Sequence, residues 1–206
     1  MIQYLYADEL DAHPGLGPQM YRDRAAQFRD RLGWSVEVDA AGEERDPYDA
    51  EIPLYVIATD AAGRHAGSMR FLPTTGPTMV NDHFTHLTDG TRIVSPYIWE
   101  CTRFCLAPEA PKATAARLML AAAELGLASG LSHAVGVFDG HMTLIYRRLG
   151  WGPIILGASG TGRGAVSVGL WSFAEAVLPR LRAQAGVTAA TSRGWVTRAF
   201  GPNLAA

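Results

Sequence analysis

The chain has 206 residues, 48% of them hydrophobic and 18% charged, and a formal net charge of −2. That length holds one domain with a full core, and the composition is that of an ordinary globular protein. The charge argues against a dedicated nucleic-acid binder, and the richest apolar run, Leu118 to Leu131, is broken by Glu124 and Ser129 before it could span a bilayer.

Asp8, Glu9 and Asp11 stand where a secretory signal would need a basic start and an apolar core, so a cytoplasmic setting is expected. The two cysteines, Cys101 and Cys105, fall on one expected strand with Cα atoms roughly 13 Å apart, too far for a disulfide, and read as core residues. The six histidines are scattered and no Cys-x-x-Cys pair exists, so no metal site is expected; His83-x-x-His86 is the only close histidine pair.

Met1 to Tyr6 reads as a short apolar strand, and the turn residues His13, Pro14, Gly15 and Gly17 follow. Pro18 to Leu32 has Tyr21, Ala25, Phe28 and Leu32 at helical spacing, with Pro18 in the first turn and Gly33 as the stop. The next stretch is an acidic loop carrying Glu37, Asp39, Glu43, Glu44, Asp46, Asp49 and Glu51, interrupted by Pro47. Pro53 to Thr59 is a strand, Asp60 to Gly63 a turn, and His65 to Leu72 its hairpin partner. Pro73 to Gly90 reads as one long irregular segment, of the length that is usually functional or mobile.

Tyr97 to Leu106 is an aromatic and β-branched strand between Pro96 and Pro108, yet it carries Glu100 and Arg103. Residues three apart on a regular strand face opposite sides, so a shared site for these two requires a bulge or sharp twist near Cys101 to Arg103. Lys112 to Ser129 is an Ala- and Leu-rich helix, Leu131 to Phe138 a strand, and Met142 to Leu149 a short helix closed by Gly150. Trp151 to Leu156 and Ala165 to Leu170 are two further strands. Ser172 to Ala185 is partly helical, limited by Pro179, and residues 186–206 are expected to be a loosely ordered tail. No repeat and no linker divides the chain, so residues 1–206 form a single domain. The element order gives an α/β fold with a mixed, largely antiparallel twisted sheet and helices on both faces.

Nine residues stand out from this pattern: Arg24, Phe28, Trp34, Asp46, Asp49, Arg70, Phe84, Glu100 and Arg103. Taken singly, each has an ordinary structural explanation. Together, as Arg24-x3-Phe28-x5-Trp34, Asp46-x2-Asp49, Arg70, Phe84 and Glu100-x2-Arg103, they resemble the signature of the acyl-homoserine lactone synthases, the autoinducer synthases of bacterial quorum sensing. The words MYRDRAAQFRDRLGW, ERDPYD, GSMRFLPT and WECTRF carry the same resemblance, strongly over residues 20 to 106 and in outline beyond.

The resemblance implies a GNAT-like acyltransferase fold. It implies N-acylation of S-adenosylmethionine by a fatty acyl thioester, on acyl carrier protein or coenzyme A, and then lactonisation with loss of 5′-methylthioadenosine. S-adenosylmethionine is a consumed substrate in that chemistry, and no cofactor is implied. Phe28 and Trp34 offer π-faces to a sulfonium, Asp46 and Asp49 carboxylates to its cationic groups, and Arg24 a fork to its carboxylate, with Phe84 in the same binding set. Glu100 is the candidate base, with Arg70 and Arg103 ordering it or the acidic loop. Leu118, Val135, Val137 and Met142 are the candidate lining of the acyl pocket, and Lys112, Arg117, Arg147 and Arg148 a candidate basic surface for an acidic carrier. Family members that favour 3-oxo chains tend to have a Thr in the strand that here reads His133-Ala-Val-Gly-Val-Phe-Asp; its absence points to a different chain.

The alternative within the fold is a GNAT-type acetyl-coenzyme A N-acetyltransferase. It is disfavoured because Ala107-Pro-Glu-Ala-Pro-Lys-Ala-Thr-Ala lacks the glycines of a pyrophosphate loop. A non-catalytic sensor domain would have no need of Glu100 combined with the acidic loop.

Overall fold

Strands of Val, Ile, Leu, Tyr and Phe in the first half of the chain pair in sequence order, each with an apolar row to bury, although only the second and third are joined by a short turn. In the computed structural model, which describes residues 1–202, they are β1 (Ile2–Tyr6), β2 (Leu54–Thr59), β3 (His65–Pro73) and β4 (Ile98–Leu106). With β5 (His133–Asp139), β6 (Ile154–Ser159) and β7 (Val166–Ser172) they make one seven-stranded sheet, ordered β1-β2-β3-β4-β5-β7-β6. Every pairing is antiparallel except β4 with β5, which is parallel.

Helices cover both faces. α1 (Leu16–Ala25), continued by a π-helical turn over Ala26–Arg31, and the short α2 (Met79–His83) lie on one side. There Leu16, Met20 and Tyr21 pack on Tyr55 and Ile57 of β2, while Val80 and Leu87 pack on Val135 and Val168. α3 (Thr114–Ala128), α4 (Met142–Leu149), α5 (Leu178–Ala185) and α6 (Ala189–Phe200) enclose the larger core on the other side. The alternation of β2 shows the division: Leu54, Val56 and Ala58 enter the larger core, Tyr55 and Ile57 the smaller.

Two expectations are corrected. The tail is not loosely ordered over α6: Trp195 and Val196 are buried, and Ser192 donates to the buried Glu124, which also holds Arg182 at 2.8 Å. An Ala- and Gly-rich composition conceals this because the helix needs only one apolar edge. Residues 203–206 lie outside the described residues. The segment from Pro73 to Gly90 is likewise not irregular throughout, since it holds α2 and a 3-10 turn at Thr85–Leu87.

The feature that creates a site is the parting of β4 and β5. They pair only from Ile98 to Glu100 against His133 to Val135, and beyond that β4 is held by β3 alone. Gly136 sits at the fork, where a Cβ would lie 2.9 Å from the Cys101 carbonyl oxygen and close to the Trp171 ring. Any larger residue there would force the strands wider apart.

Candidate active site

β4 carries a bulge. Its register with β3 shifts between Ser68, opposite Cys105, and Arg70, opposite Thr102, so β4 has one residue too many. Arg103 takes the extra turn, with φ of +53°. The expected irregularity is therefore present and has a clear consequence. Trp99, Cys101, Phe104 and Leu106 pack into the larger core, and Arg103 joins Glu100 and Thr102 on the opposite side, where the acidic loop lies.

That loop meets a closed network of three guanidinium groups and three carboxylates. The fork of Arg24 holds both Asp49 oxygens at 2.9 Å, and its Nε donates to Glu44 at 2.5 Å. Arg70 donates to Asp46 at 2.5 and 2.9 Å, to Asp49 at 2.8 Å and to Thr102 Oγ1 at 3.0 Å. Arg103 joins Glu44 at 2.9 Å to Asp46 at 2.7 Å. Arg24, Arg70 and Glu44 are at most 1% exposed, so each charge is sustained by its partners. Burial alone would raise the Asp49 carboxyl; Arg24, Arg70 and the Tyr55 hydroxyl hold it well below the usual carboxylate range. Asp46 and Asp49 also shape their own segment: Asp46 caps the 3-10 turn Pro47–Ala50, and Asp49 accepts from the Asp46 N–H at 2.9 Å.

The reading of Arg24 as a fork for a substrate carboxylate, and of Asp46 and Asp49 as free carboxylates, thus meets side chains already spent on one another. Arg70 and Arg103 pair with the acidic loop rather than with Glu100. Glu44, Thr102 and Tyr55 complete the network and were not legible, because Glu44 is one of seven acids in an aperiodic loop.

Glu100 stands apart from these ion pairs. It is 1% exposed, and its two oxygens accept the first N–H groups of α2, Met79 at 2.9 Å and Val80 at 2.6 Å. It thereby supplies the cap that Thr78 does not. Burial pushes its carboxyl up to about 7, against the pull of those two donors and of Arg70.

Between β4 and β5 opens a cavity of about 720 Å³. One end is polar and partly aromatic. Phe28, in the π-helical turn, stacks on Trp34 with ring centroids 5.0 Å apart and planes 9° apart, and the Arg103 guanidinium lies over Phe28 at 5.4 Å. The other end is aromatic, walled by Phe138, Tyr146, Trp151 and Trp171. Of the expected acyl-pocket residues, Val137 and Met142 line the cavity. Val135 is buried among Val80, Leu87 and Val168, a cluster that Val137 also packs against, and does not line the cavity, and Leu118 lies in the larger core; Ala115, Met119 and Ala122 present the α3 face to the cavity instead. Phe84 packs with Val80 and Leu87 and is not part of the cavity lining to which Phe28 and Trp34 belong. Of the candidate basic surface, Arg117 is spent on the Ala185 carbonyl oxygen.

A family model described as autoinducer synthase matches residues 9–172. The chain belongs to the autoinducer synthase family. An acyl-homoserine-lactone synthase of Rhizobium etli is 43% identical over 190 residues, covering 89% of each chain, and one of Agrobacterium fabrum is 35% identical over 70% of this chain and 72% of its own. Among solved structures, the AHL synthase LasI superposes with a TM-score of 0.77 at 26% identity, covering 89% of this chain and 94% of its own. The CoA-dependent acyl-homoserine lactone synthase MesI has the same fold, with a TM-score of 0.81 at 23% identity over 91% of this chain and 96% of its own. A putative N-acetyltransferase from Lactobacillus plantarum shares the fold more distantly, at a TM-score of 0.55 and 14% identity, so the acetyltransferase alternative is the weaker. Among the described residues no helix is long and apolar enough to cross a membrane.

Proposed function

We propose that this chain, acting as a single domain, joins the amino group of S-adenosylmethionine to a fatty acyl thioester and closes the product to an acyl-homoserine lactone. The observation that carries this reading is one cavity with two chemically different ends. The Phe28–Trp34 stack and Arg103 suit a charged sulfonium substrate, and the aromatic end suits an acyl chain.

In the first step the amine nitrogen attacks the thioester carbonyl and the thiol leaves. Glu100, held near neutrality, is assigned the amine proton, passed through one water from the cavity side of Met79. The β4 bulge leaves a residue outside the ladder, and its backbone N–H is assigned to the developing oxyanion. In the second step the carboxylate oxygen of the acylated intermediate attacks its own γ-carbon. The carbon–sulfur bond breaks, its electron pair neutralises the sulfonium, and 5′-methylthioadenosine departs. The protein's part there is to hold the chain folded for ring closure. The ion-pair network acts as the floor that fixes Arg103 and Thr102 beneath the reacting groups.

The test is turnover of S-adenosylmethionine with acyl groups presented on coenzyme A and on acyl carrier protein, with products read by mass spectrometry. A lactone from either carrier is expected. An acetylated amine from acetyl-coenzyme A without any lactone would favour the acetyltransferase reading.

A further inference from the structure

The aromatic end of the cavity contains three polar hydrogens among its rings, and two are accounted for. The Trp151 indole donates to the Ser172 carbonyl oxygen at 3.0 Å, and the Trp171 indole to the Trp151 carbonyl oxygen at 3.2 Å. The third belongs to Tyr146, on α4. Its ring meets Phe104, Phe138 and Trp171 edge-on, at centroid distances of 6.2, 5.4 and 5.1 Å, and all four side chains line the cavity. Tyr146 is 7% exposed, and its hydroxyl makes no hydrogen bond to another described residue and is not among the sealed unpaired polar atoms, so it stays open to the cavity. A Tyr hydroxyl that opens into an aromatic cavity is a donor free for a ligand placed there.

We infer that the Tyr146 hydroxyl is the specificity determinant of the acyl site, donating to an oxygen on the third carbon of a 3-oxo or 3-hydroxy acyl chain. This rests on the synthase reading of the same cavity. The position follows from the neighbours. Phe104 directly follows the bulged Arg103, where the thioester carbonyl is placed, and its ring lies 6.2 Å from that of Tyr146, so Tyr146 reaches the layer next to the reacting end. The chemistry follows from the surroundings. Burial pushes the Tyr146 phenol well above its ordinary value, with Cys101 and Asp139 adding to it, so it stays a neutral O–H and is a poor proton donor to a leaving thiolate. An unsubstituted chain would seal that donor in an apolar pocket unpaired, and sites built to bond a substrate oxygen reject analogues lacking it. The missing Thr in β5 is thereby compensated from α4, a position that strand comparison does not reach.

The experiment measures kcat/KM for chain-matched 3-oxo, 3-hydroxy and unsubstituted acyl thioesters, in the wild type and in Tyr146→Phe, with lactone read by mass spectrometry. The wild type is expected to favour at least one oxygenated chain by about tenfold or more. Tyr146→Phe is expected to bring that ratio close to one. Equal use of all three chains by the wild type overturns the inference whether or not the variant folds, and so does a preference that survives in Tyr146→Phe. Lactone formed without preference contradicts the inference alone; no lactone from any donor contradicts the synthase reading, and the inference with it.

Discussion

Arg103 and Glu100, three residues apart on β4, face the same side of the sheet because Arg103 takes a φ of +53° and adds a residue to the strand. They do not touch: Arg103 is held by Glu44 and Asp46, and Glu100 by the N–H groups of Met79 and Val80. The bulge thus sets a permanent cation beside a carboxyl whose protonation changes near neutrality.

For Glu100, pH acts on stability and on rate in opposite directions. Its folded-state pKa is raised from 4.5 to about 7, so the stability it contributes is fully present below about pH 4.5 and is lost as pH rises to about 7. The carboxylate needed as a base forms over that same rise, so kcat should increase through about pH 7. Glu100→Gln should remove both trends: its unfolding midpoint should fall less between pH 5 and 8 than that of the wild type, and kcat should drop by 10²-fold or more. Paired pH profiles of kcat and of urea unfolding would show it. A wild-type rise in kcat retained by Glu100→Gln would remove Glu100 as the base.

Arg24 should behave as scaffold. Arg24→Ala strands Glu44 and Asp49 in the interior and is expected to cost about 3–5 kcal/mol of folding stability, read by denaturant unfolding. Combined with Asp49→Ala, the two losses should be strongly non-additive, because they share one bidentate pair. A variant as stable as the wild type, with only a raised KM for S-adenosylmethionine, would instead assign Arg24 to the substrate.

The division between cavity wall and core gives a contrast within the acyl-pocket set. Met142→Trp fills the cavity and should shift the product distribution toward shorter chains. Leu118→Ala lies behind the wall and should cost about 2–5 kcal/mol of stability while leaving the distribution of chain lengths in place. Lactone profiling beside thermal denaturation checks both, and a Leu118→Ala profile displaced like that of Met142→Trp would show that the two positions share one wall.

Strands, helices and the bulge were legible because each follows from local chemistry: the apolar alternation of β2, the Gly33 and Gly150 stops, and the parity conflict between Glu100 and Arg103. The signature also brought Arg24, Asp46, Asp49, Arg70 and Arg103 to one place. What they do there was not legible. Whether Arg24 holds a ligand or Asp49 depends on a distance between α1 and a loop that no spacing encodes. Val135 and Val137 face the same side of the sheet, and they differ in that Val135 is the last residue of β5 paired with β4 while Val137 lies beyond the parting and lines the cavity. Tyr146 was hidden as one aromatic in a short helix, since its meaning lies in the absence of a partner. α6 was missed because Trp195 and Val196 bury their surface against distant elements, β1 and α3.

The most direct test of the central reading is the ratio of two products in one reaction. Purified protein is given S-adenosylmethionine and a fatty acyl thioester, and 5′-methylthioadenosine and acyl-homoserine lactone are quantified in the same chromatographic run. Equal molar amounts, each matched by one thiol released, are expected. Thiol release with acylated S-adenosylmethionine and no methylthioadenosine would contradict the lactonisation step, and thiol release with neither product would contradict the function as a whole.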